Sequence, residues 1–341
     1  MTGVLSSRQI GLSGVRTTVL GLGGAPLGNL YAPIDEAVAL ETIRAGLAAG
    51  VGYFDTAPQY GHGVSEHRFG HVLREAPRDG FVLSTKVGRL LSPWRKAEPV
   101  PSVFHRTQAF EIVHDYSYDA TMRSLEDSYN RLGMARIDIA LIHDVDVRHL
   151  GENYDQRFDQ AINGAVRALQ ELKAAGVIGA IGIGVNEIDP SVRFAEAVAL
   201  DAYMLAGRFT LLEQTGLAAL FGLAAVQGFS LIIAGPYNSG ILATGATDRA
   251  TYDYRQAGPE VLERVRKLDA VCATYGVPLA AVALQFPLLQ PSVCSVVTGA
   301  VAAEEITQNA RLMAMAIPDA LWRDLGDAGF IAPEFLPEAR T

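Results

Sequence analysis

Short apolar runs alternate along the chain with longer segments whose apolar residues recur at helical spacing. The short runs are bounded by Gly, Pro and polar residues, which indicates buried strands, and the longer segments indicate amphipathic helices. Eight strands are predicted, at residues 19–23, 52–55, 81–86, 136–143, 178–185, 202–206, 230–234 and 295–298. Helices are predicted at residues 34–50, 65–74, 117–132, 158–175, 190–199, 217–227, 258–275 and 278–288. Ser65 is a candidate N-cap for the second helix.

This alternation predicts an α/β protein, namely a closed (β/α)8 TIM barrel with long loops at its C-terminal face. Strands of such a barrel are buried on both faces, so they need not alternate in polarity. The competing open, doubly wound sheet requires a glycine fingerprint that opens a helix after the first strand. Residues 21–26 resemble that fingerprint, but Pro26 stands where its third glycine should be. We therefore expect a single barrel domain over residues 1–341.

Two long irregular stretches are predicted, at residues 90–114 and 235–257. Loops of this length in a compact domain are usually functional or mobile. Both stretches follow predicted strands, so we expect them on the face of the barrel where such enzymes build their sites.

The composition limits the range of partners. Of the 341 residues, 49% are hydrophobic and 19% are charged, and the net charge is −9. A negative chain without a basic stripe is not expected to bind nucleic acid. The two cysteines indicate buried, reduced thiols. No apolar run is long enough to span a membrane, and the polar N-terminal segment does not look like a secretion signal. We expect a soluble, cytoplasmic protein that acts on a small molecule.

Four ionisable residues, Asp55, Tyr60, Lys86 and His143, stand at or just beyond the ends of successive predicted strands. In a barrel these ends meet on one face. The Lys86 ammonium would lower the pKa of the Tyr60 phenol from its usual value of about 10, and Asp55 can pair with Lys86. His143 can donate a hydrogen bond to a substrate oxygen. Such a set can move a proton while hydride leaves the same carbon, which is alcohol–carbonyl interconversion with a nicotinamide partner.

The Asp-Thr-Ala-Pro-Gln-Tyr-Gly stretch at residues 55–61, together with Lys86 and His143, resembles the Asp/Tyr/Lys/His tetrad of the aldo-keto reductase superfamily. The resemblance implies that Tyr60 is the proton donor or acceptor, that Lys86 and Asp55 tune it, and that His143 orients the substrate. It also implies a dinucleotide extended across the C-terminal face of the barrel. The implied cofactor-binding residues are Gly24, Ala25, Asn186, Gly235, Pro236, Tyr237, Asn238, Ser239, Gly240, Gly299, Val301, Glu305 and Asn309.

Two departures from the family pattern bear on the cofactor. Ala206 stands at the sixth strand, where most members carry a glutamine for the carboxamide. Val301 stands where phosphate-binding members place Arg or Lys, and Glu304 and Glu305 follow it. A 2′-phosphate would find no cation here, whereas Glu305 could accept a hydrogen bond from a ribose hydroxyl. NAD is therefore expected, and NADP is less favoured.

Within the superfamily, residues 23–28 and 143–146 look most similar to the branch with D-threo-aldose (L-fucose) 1-dehydrogenase, L-galactose dehydrogenase and pyridoxal 4-dehydrogenase. The resemblance implies NAD-dependent oxidation of a cyclic hemiacetal, such as L-fucose or another D-threo-aldose, to the lactone. Three alternatives stay open at this point. They are oxidation of pyridoxal to its lactone, NADP-dependent reduction of an aldehyde or ketone, and a non-catalytic cofactor-sensing subunit.

Four residues in the loops, Tyr31, Trp94, Phe104 and His105, are candidates for the substrate pocket, although packing of these loops against the barrel explains them equally well. Residues 143–149, His-Asp-Val-Asp-Val-Arg-His, match no usual zinc spacing. No metal is expected there, and the polar residues of this segment are predicted to be solvated or hydrogen-bonded.

Overall fold

The computed structural model describes residues 5–336. Eight parallel strands close into a barrel in the order of the chain, so the predicted fold class is confirmed. The strands are β1 (Leu20–Gly23), β2 (Tyr53–Asp55), β3 (Val82–Val87), β4 (Ile139–His143), β5 (Ala180–Val185), β6 (Ala202–Ala206), β7 (Ser230–Ala234) and β8 (Val293–Gly299). Each overlaps its predicted range. Residues 1–4 and 337–341 of the predicted single domain lie outside the described residues, and its extent stays a prediction.

The barrel strands are buried on both faces, which explains their continuous apolar runs. Tyr53, Leu141 and Ile232 belong to the smaller of two apolar clusters, which lies inside the barrel. Their next neighbours along the chain pack instead in the main core, between the strands and the helices. A hairpin of Ser7–Gln9 and Arg16–Thr18 precedes β1 and contributes Ile10 to the interior cluster. This hairpin lies at the N-terminal ends of the strands, opposite the predicted site.

Helices surround the barrel in the predicted alternation, and two further helices follow β8. Their bounds are Glu36–Ala48, Val64–Leu73, Tyr118–Leu132, Val147–Leu150, Tyr154–Gln160, Arg167–Ala174, Ile188–Ala197, Ala218–Gln227, Ile241–Thr244, Pro259–Thr274, Leu279–Gln285, Ala303–Met313 and Asp319–Asp327. A π-helical segment, Ala161–Val166, joins the two pieces of the helix that was predicted at residues 158–175. No single helix in the described chain has the length and apolar character of a membrane span. Two consecutive helices, Pro259–Thr274 and Leu279–Leu289, pass that test only when taken together, by length and composition alone, and the chain bends by 99° between them.

The predicted N-cap of the second helix is wrong. Gly63 occupies that position with φ of 100°, so the backbone enters the helix from the left-handed region. Ser65 lies inside the first turn, where its hydroxyl is 2.8 Å from that of Thr56. Ser65 therefore ties the helix to the segment after β2 and does not cap it.

The two long stretches are more regular than predicted. Residues Arg89–Pro93 and Phe110–His114 pair as an antiparallel ribbon at the two ends of the first stretch. Thr251–Tyr252 and Arg255–Gln256 form a small hairpin in the second. Both structures rise from the C-terminal ends of barrel strands and give the rim of the barrel a defined shape.

The register of the strands brings three of the predicted site residues to the same rim. Asp55 ends β2, Lys86 lies next to last in β3, and His143 ends β4. Lys86 is paired with Leu141, two residues before His143. Since all three strands are parallel, their side chains reach the same face of the barrel.

Gly88 lets the chain turn sharply at the end of β3. Its φ is 94°, and a Cβ added there would lie 2.2 Å from a ring carbon of Tyr116. Both the backbone conformation and the close approach require glycine. The turn places Lys86 and Arg89 on either side of it, so this glycine fixes the positions of two buried cations.

We expect Gly88→Ala to lower the free energy of unfolding by about 2–4 kcal/mol, because steric overlap adds to left-handed strain. Gly222→Ala is the matched control, since Gly222 lies in the helix Ala218–Gln227 and an added Cβ would meet no atom within 4 Å. That variant should be unchanged or up to ~1 kcal/mol more stable. Urea denaturation followed by circular dichroism measures both, and equal stability of the two variants would contradict this role of Gly88.

Candidate active site

A cavity of about 780 Å³ opens at the C-terminal face of the barrel. Its walls come from the ends of the barrel strands and from the loops that follow them. The predicted residues that line it are Gly24, Ala25, Tyr31, Asp55, Tyr60, Lys86, Phe104, His143, Asn186, Gly235, Pro236, Tyr237, Asn238, Ser239, Gly240, Gly299, Val301 and Glu305. One cavity therefore contains all four tetrad residues and nearly all the predicted cofactor residues.

A buried ion pair joins β3 to β2 at the floor of this cavity. Lys86 Nζ lies 2.6 Å from Asp55 Oδ2, and both side chains are almost completely buried. Lys86 also donates to the carbonyl of Thr56 at 3.0 Å, and the Ser84 hydroxyl donates to Asp55 Oδ1 at 2.6 Å. Burial by itself would lower the pKa of Lys86, but the Asp55 carboxylate and the Tyr60 phenol outweigh it and raise that pKa. These two neighbours therefore favour the charged form of Lys86.

The Tyr60 ring lies against this cation. Lys86 Nζ is 4.8 Å from the ring centroid, and the ring of His143 meets that of Tyr60 edge to face at 5.8 Å. Burial raises the pKa of Tyr60 to about 12, even though Lys86 acts in the opposite direction. At neutral pH the phenol therefore carries its proton and can donate it, and any added positive charge nearby favours its release.

His143 is a neutral imidazole in this setting. Burial lowers its pKa well below the usual range, and the charges of Arg89 and Lys86 act in the same direction. Its Nε2 lies 3.4 Å from Asp144 Oδ2, and its buried Nδ1 has no hydrogen-bond partner within residues 5–336. A neutral imidazole can donate from one ring nitrogen, so His143 can still hold a substrate oxygen.

Three predicted site residues, Trp94, His105 and Asn309, do not line the cavity. Trp94 donates through its indole N–H to the Glu98 carbonyl at 2.7 Å, so it folds onto its own loop. His105 is exposed, and its backbone is held by Asn29. The structure corrects the prediction that these two residues shape the pocket.

Asn309 lies behind the cavity wall and not on it. It accepts a hydrogen bond from the Tyr237 hydroxyl at 2.8 Å and donates to Thr298 Oγ1 at 3.2 Å. In this structure Asn309 therefore positions Tyr237, which does line the cavity.

Several polar residues of the cavity were not singled out from the sequence as site residues. Tyr254 stands at the tip of the small hairpin and faces Tyr31 across the cavity, with the ring centroids 6.4 Å apart. Its neighbour Asp253 lies 3.6 Å from both Arg148 and Arg208. The hairpin thus forms a strap over the opening. Only its place after the seventh strand could have indicated this from the sequence.

The polar residues after β4 were predicted to be solvated or hydrogen-bonded. Arg148 is exposed, but Asp144 and Asp146 are only 5% and 0% exposed, so solvation is the wrong alternative for these two carboxylates. Ligand atoms of Asp144, Asp146 and His149 lie within 4.8 Å of one another, which is a donor set that a cation could use. However, Arg89 lies 2.7 Å from Asp144, and His149 donates to Asp146 at 2.7 Å. Asp144 is thus paired with a protein cation, and one oxygen of Asp146 accepts from His149, while the expectation of no metal stays a prediction.

Together, these groups can transfer a proton between Tyr60 and a substrate oxygen in a cavity with a fixed positive charge. Comparisons with known proteins agree with this chemistry. The model of the Aldo/keto reductase family matches residues 19–328. The chain is 42% identical over 335 residues to a pyridoxal 4-dehydrogenase of Microbacterium luteolum, covering 95% of this chain and 98% of that protein.

A second curated relative, a D-threo-aldose 1-dehydrogenase of a Pseudomonas species, is 37% identical over 324 residues, covering 94% of this chain and 96% of that protein. Among solved structures, the holo form of a Bacillus halodurans aldo-keto reductase superposes with a TM-score of 0.74 at 23% identity. It covers 95% of this chain and 96% of its own. This last likeness supports the fold alone, whereas each of the two curated relatives matches more than nine-tenths of the chain.

Proposed function

The chain belongs to the aldo/keto reductase family of nicotinamide-dependent oxidoreductases, and within it we propose an NAD-dependent dehydrogenase that oxidises a cyclic hemiacetal to a lactone. The observation that carries the proposal is the buried pair of Lys86 and Asp55 beside Tyr60, with His143 edge-on to the same ring. The names of the two relatives support the direction and the type of substrate. Both are dehydrogenases, and both aldoses and pyridoxal form cyclic hemiacetals.

In the proposed reaction Tyr60 accepts the proton of the hemiacetal hydroxyl. Lys86 stabilises the phenolate that precedes this step, because a buried cation acts more strongly on a neighbouring charge than one in water. His143 holds the same oxygen through its N–H and keeps the carbon in place. When bound, an oxidised nicotinamide supplies the hydride acceptor and a positive charge.

The cavity fits a dinucleotide on the side of β7 and β8. A Cβ added to Gly235 or Gly240 would meet no atom closer than 3.8 Å, so the loop between them leaves open space above its backbone. Asn238 Oδ1 is buried and finds no partner in the described chain. These residues, with Asn186 near the tetrad, would hold the dinucleotide along the rim.

We propose NAD because of the residues at the far end of the cavity. Glu305 lies in the first turn of the helix Ala303–Met313, and its carboxylate accepts a hydrogen bond from the Val301 backbone at 2.9 Å. Both residues line the cavity. A carboxylate suits a ribose hydroxyl and repels a phosphate, and Val301 supplies no compensating cation.

Incubation with NAD and L-fucose, D-arabinose or pyridoxal should produce reduced cofactor, measured by absorbance. Tyr60→Phe should bind NAD as the wild type does but lose about 10²- to 10⁴-fold in turnover, since no group remains to take the proton. Tyr118→Phe is the control, because its exposed hydroxyl contacts only Glu171 far from the cavity. Cofactor binding without turnover on the whole panel would favour the cofactor-sensing alternative, and an active Tyr60→Phe would remove Tyr60 from its role.

The pH profile follows from the pKa of Tyr60. Oxidation requires the phenolate, and a pKa near 12 means that its population rises with pH throughout the neutral range. We expect kcat/KM for oxidation to rise by up to about tenfold per pH unit from pH ~6 until it reaches a plateau. The positive charge of the bound cofactor lowers the pKa of Tyr60, so the plateau should begin below pH 12. Stopped-flow or initial-rate measurements in a constant-ionic-strength buffer series test this. A profile that falls with pH over that range would be incompatible with Tyr60 as the base.

The cofactor preference depends on residues 301 and 305. The wild type should prefer NAD to NADP by kcat/KM, and the double variant Val301→Arg with Glu305→Gln should shift that ratio by at least about tenfold, or 1.4 kcal/mol, towards NADP. Glu304→Gln is the control, since Glu304 is exposed and lies outside the cavity wall. A wild type that prefers NADP would contradict the choice of NAD.

A further inference from the structure

Two polar side chains of the cavity, Asp144 and His149, have no part in the proton transfer described above. Both line the cavity on the side of β4. Asp144 Oδ2 lies 3.4 Å from His143 Nε2 and 3.7 Å from His149 Nε2. The carboxylate therefore stands between the imidazole that holds the reacting oxygen and a second imidazole further out.

Asp146 fixes the orientation of the second imidazole. Asp146 is completely buried, and its Oδ1 lies 2.9 Å from the backbone N and 2.7 Å from Nδ1 of His149. A carboxylate can only accept, so Nδ1 of His149 carries the hydrogen. Nε2 then faces Asp144, 3.7 Å from Oδ2. Asp146 acts on the cavity only through His149 and is a positioning residue.

Asp144 is also held in a fixed orientation, as the ring of His149 is. Its backbone has φ of 48°, and its N–H donates to the Gly184 carbonyl at 2.8 Å. The buried guanidinium of Arg89 lies 2.7 Å from Oδ2. The Tyr116 hydroxyl donates to the His143 carbonyl at 2.8 Å, which holds the same turn from below. These contacts leave the carboxylate no freedom to turn away from the cavity.

Asp144 and His149 present polar atoms to the cavity close to one another. Asp144 Oδ2 is paired with Arg89 at 2.7 Å, and Nε2 of His149 lies 3.7 Å from the same oxygen, which is longer than a hydrogen bond. A hydroxyl group placed there can donate to the carboxylate and also form a hydrogen bond with Nε2 of His149. Asp144 Oδ2 lies 3.4 Å from His143 Nε2, so a hydroxyl beside the oxygen held by His143 is within reach of this carboxylate.

We propose that Asp144 and His149 bind a hydroxyl group on the carbon next to the reacting carbon, so that the enzyme selects aldoses over their 2-deoxy analogues. The inference rests on the proposed hemiacetal dehydrogenase function and names its substrate class. A site built to bind a hydroxyl rejects the analogue without it more strongly than an apolar pocket rejects an extra methylene, because its own polar groups are then left unpaired.

The test compares L-fucose and D-arabinose with their 2-deoxy analogues, with NAD as cofactor, in the wild type and two variants. The wild type should favour the hydroxylated sugar by at least about tenfold in kcat/KM. His149→Ala should bring that ratio close to one. Asp146→Asn should lower it, because an amide also offers a donor and no longer fixes the tautomer of His149. The ratio is insensitive to loss of folded protein, which would slow both sugars equally.

His71→Ala is the matched control, since His71 is exposed on the helix Val64–Leu73 and should leave rates and ratio as in the wild type. An unchanged ratio in His149→Ala, with both sugars still oxidised, would overturn the inference and leave the proposed function standing. Turnover of pyridoxal without turnover of either sugar would also overturn it. Failure with every hemiacetal would instead refute the proposed function itself.

Discussion

The structure depends on one buried ion pair, between Lys86 and Asp55. Two charges removed from water lose several kcal/mol of hydration each, and their attraction offsets this loss only when the geometry is good and the remaining polar atoms are hydrogen-bonded. Both conditions hold here, because Ser84 and the Thr56 carbonyl complete the pair. The cation that results is buried, and the phenol of Tyr60 lies against it.

A second buried pair, Arg89 with Asp144, repeats the arrangement on the other side of the site. Lys86 lies near the end of β3 and Arg89 lies just beyond it, after the turn at Gly88. They pair with Asp55 at the end of β2 and with Asp144, which follows β4. The Tyr60 and His143 rings meet between these pairs. The end of β3 and the turn after it therefore set the electrostatics of both groups that would touch the substrate, and burial together with these two cations keeps His143 neutral. Because its pKa is so low, the His143 imidazole does not compete with Tyr60 for the proton.

The sequence was sufficient for the barrel and for the tetrad because both are local signals. Each strand is a short apolar run, and Asp55, Lys86 and His143 stand at the ends of theirs, so parallel packing alone brings them together. The failures come from non-local contacts. Asp146 is completely buried, and its Oδ1 accepts hydrogen bonds from the backbone and the ring of His149, of which the polar segment by itself gives no sign. The ribbon pairs Arg89–Pro93 with Phe110–His114, two segments of mixed polarity that are separated in the chain. Trp94 and His105 lie in the loop between them and do not line the cavity.

The high pKa of Tyr60 is compatible with a base for hemiacetal oxidation. Burial is the largest cause of that raised pKa, and it acts by excluding water, which also makes each nearby charge more effective. A phenol in water would respond little to one added cation, whereas a buried phenol that already contacts Lys86 responds strongly to a second. Binding of a positively charged cofactor therefore changes the state of Tyr60 more in this cavity than it could at the surface. Desolvation keeps the Tyr60 phenol protonated in the free enzyme, and it also makes the release of that proton depend on the bound oxidised cofactor. The proposed dehydrogenation needs this order, with the cofactor bound before the proton is released.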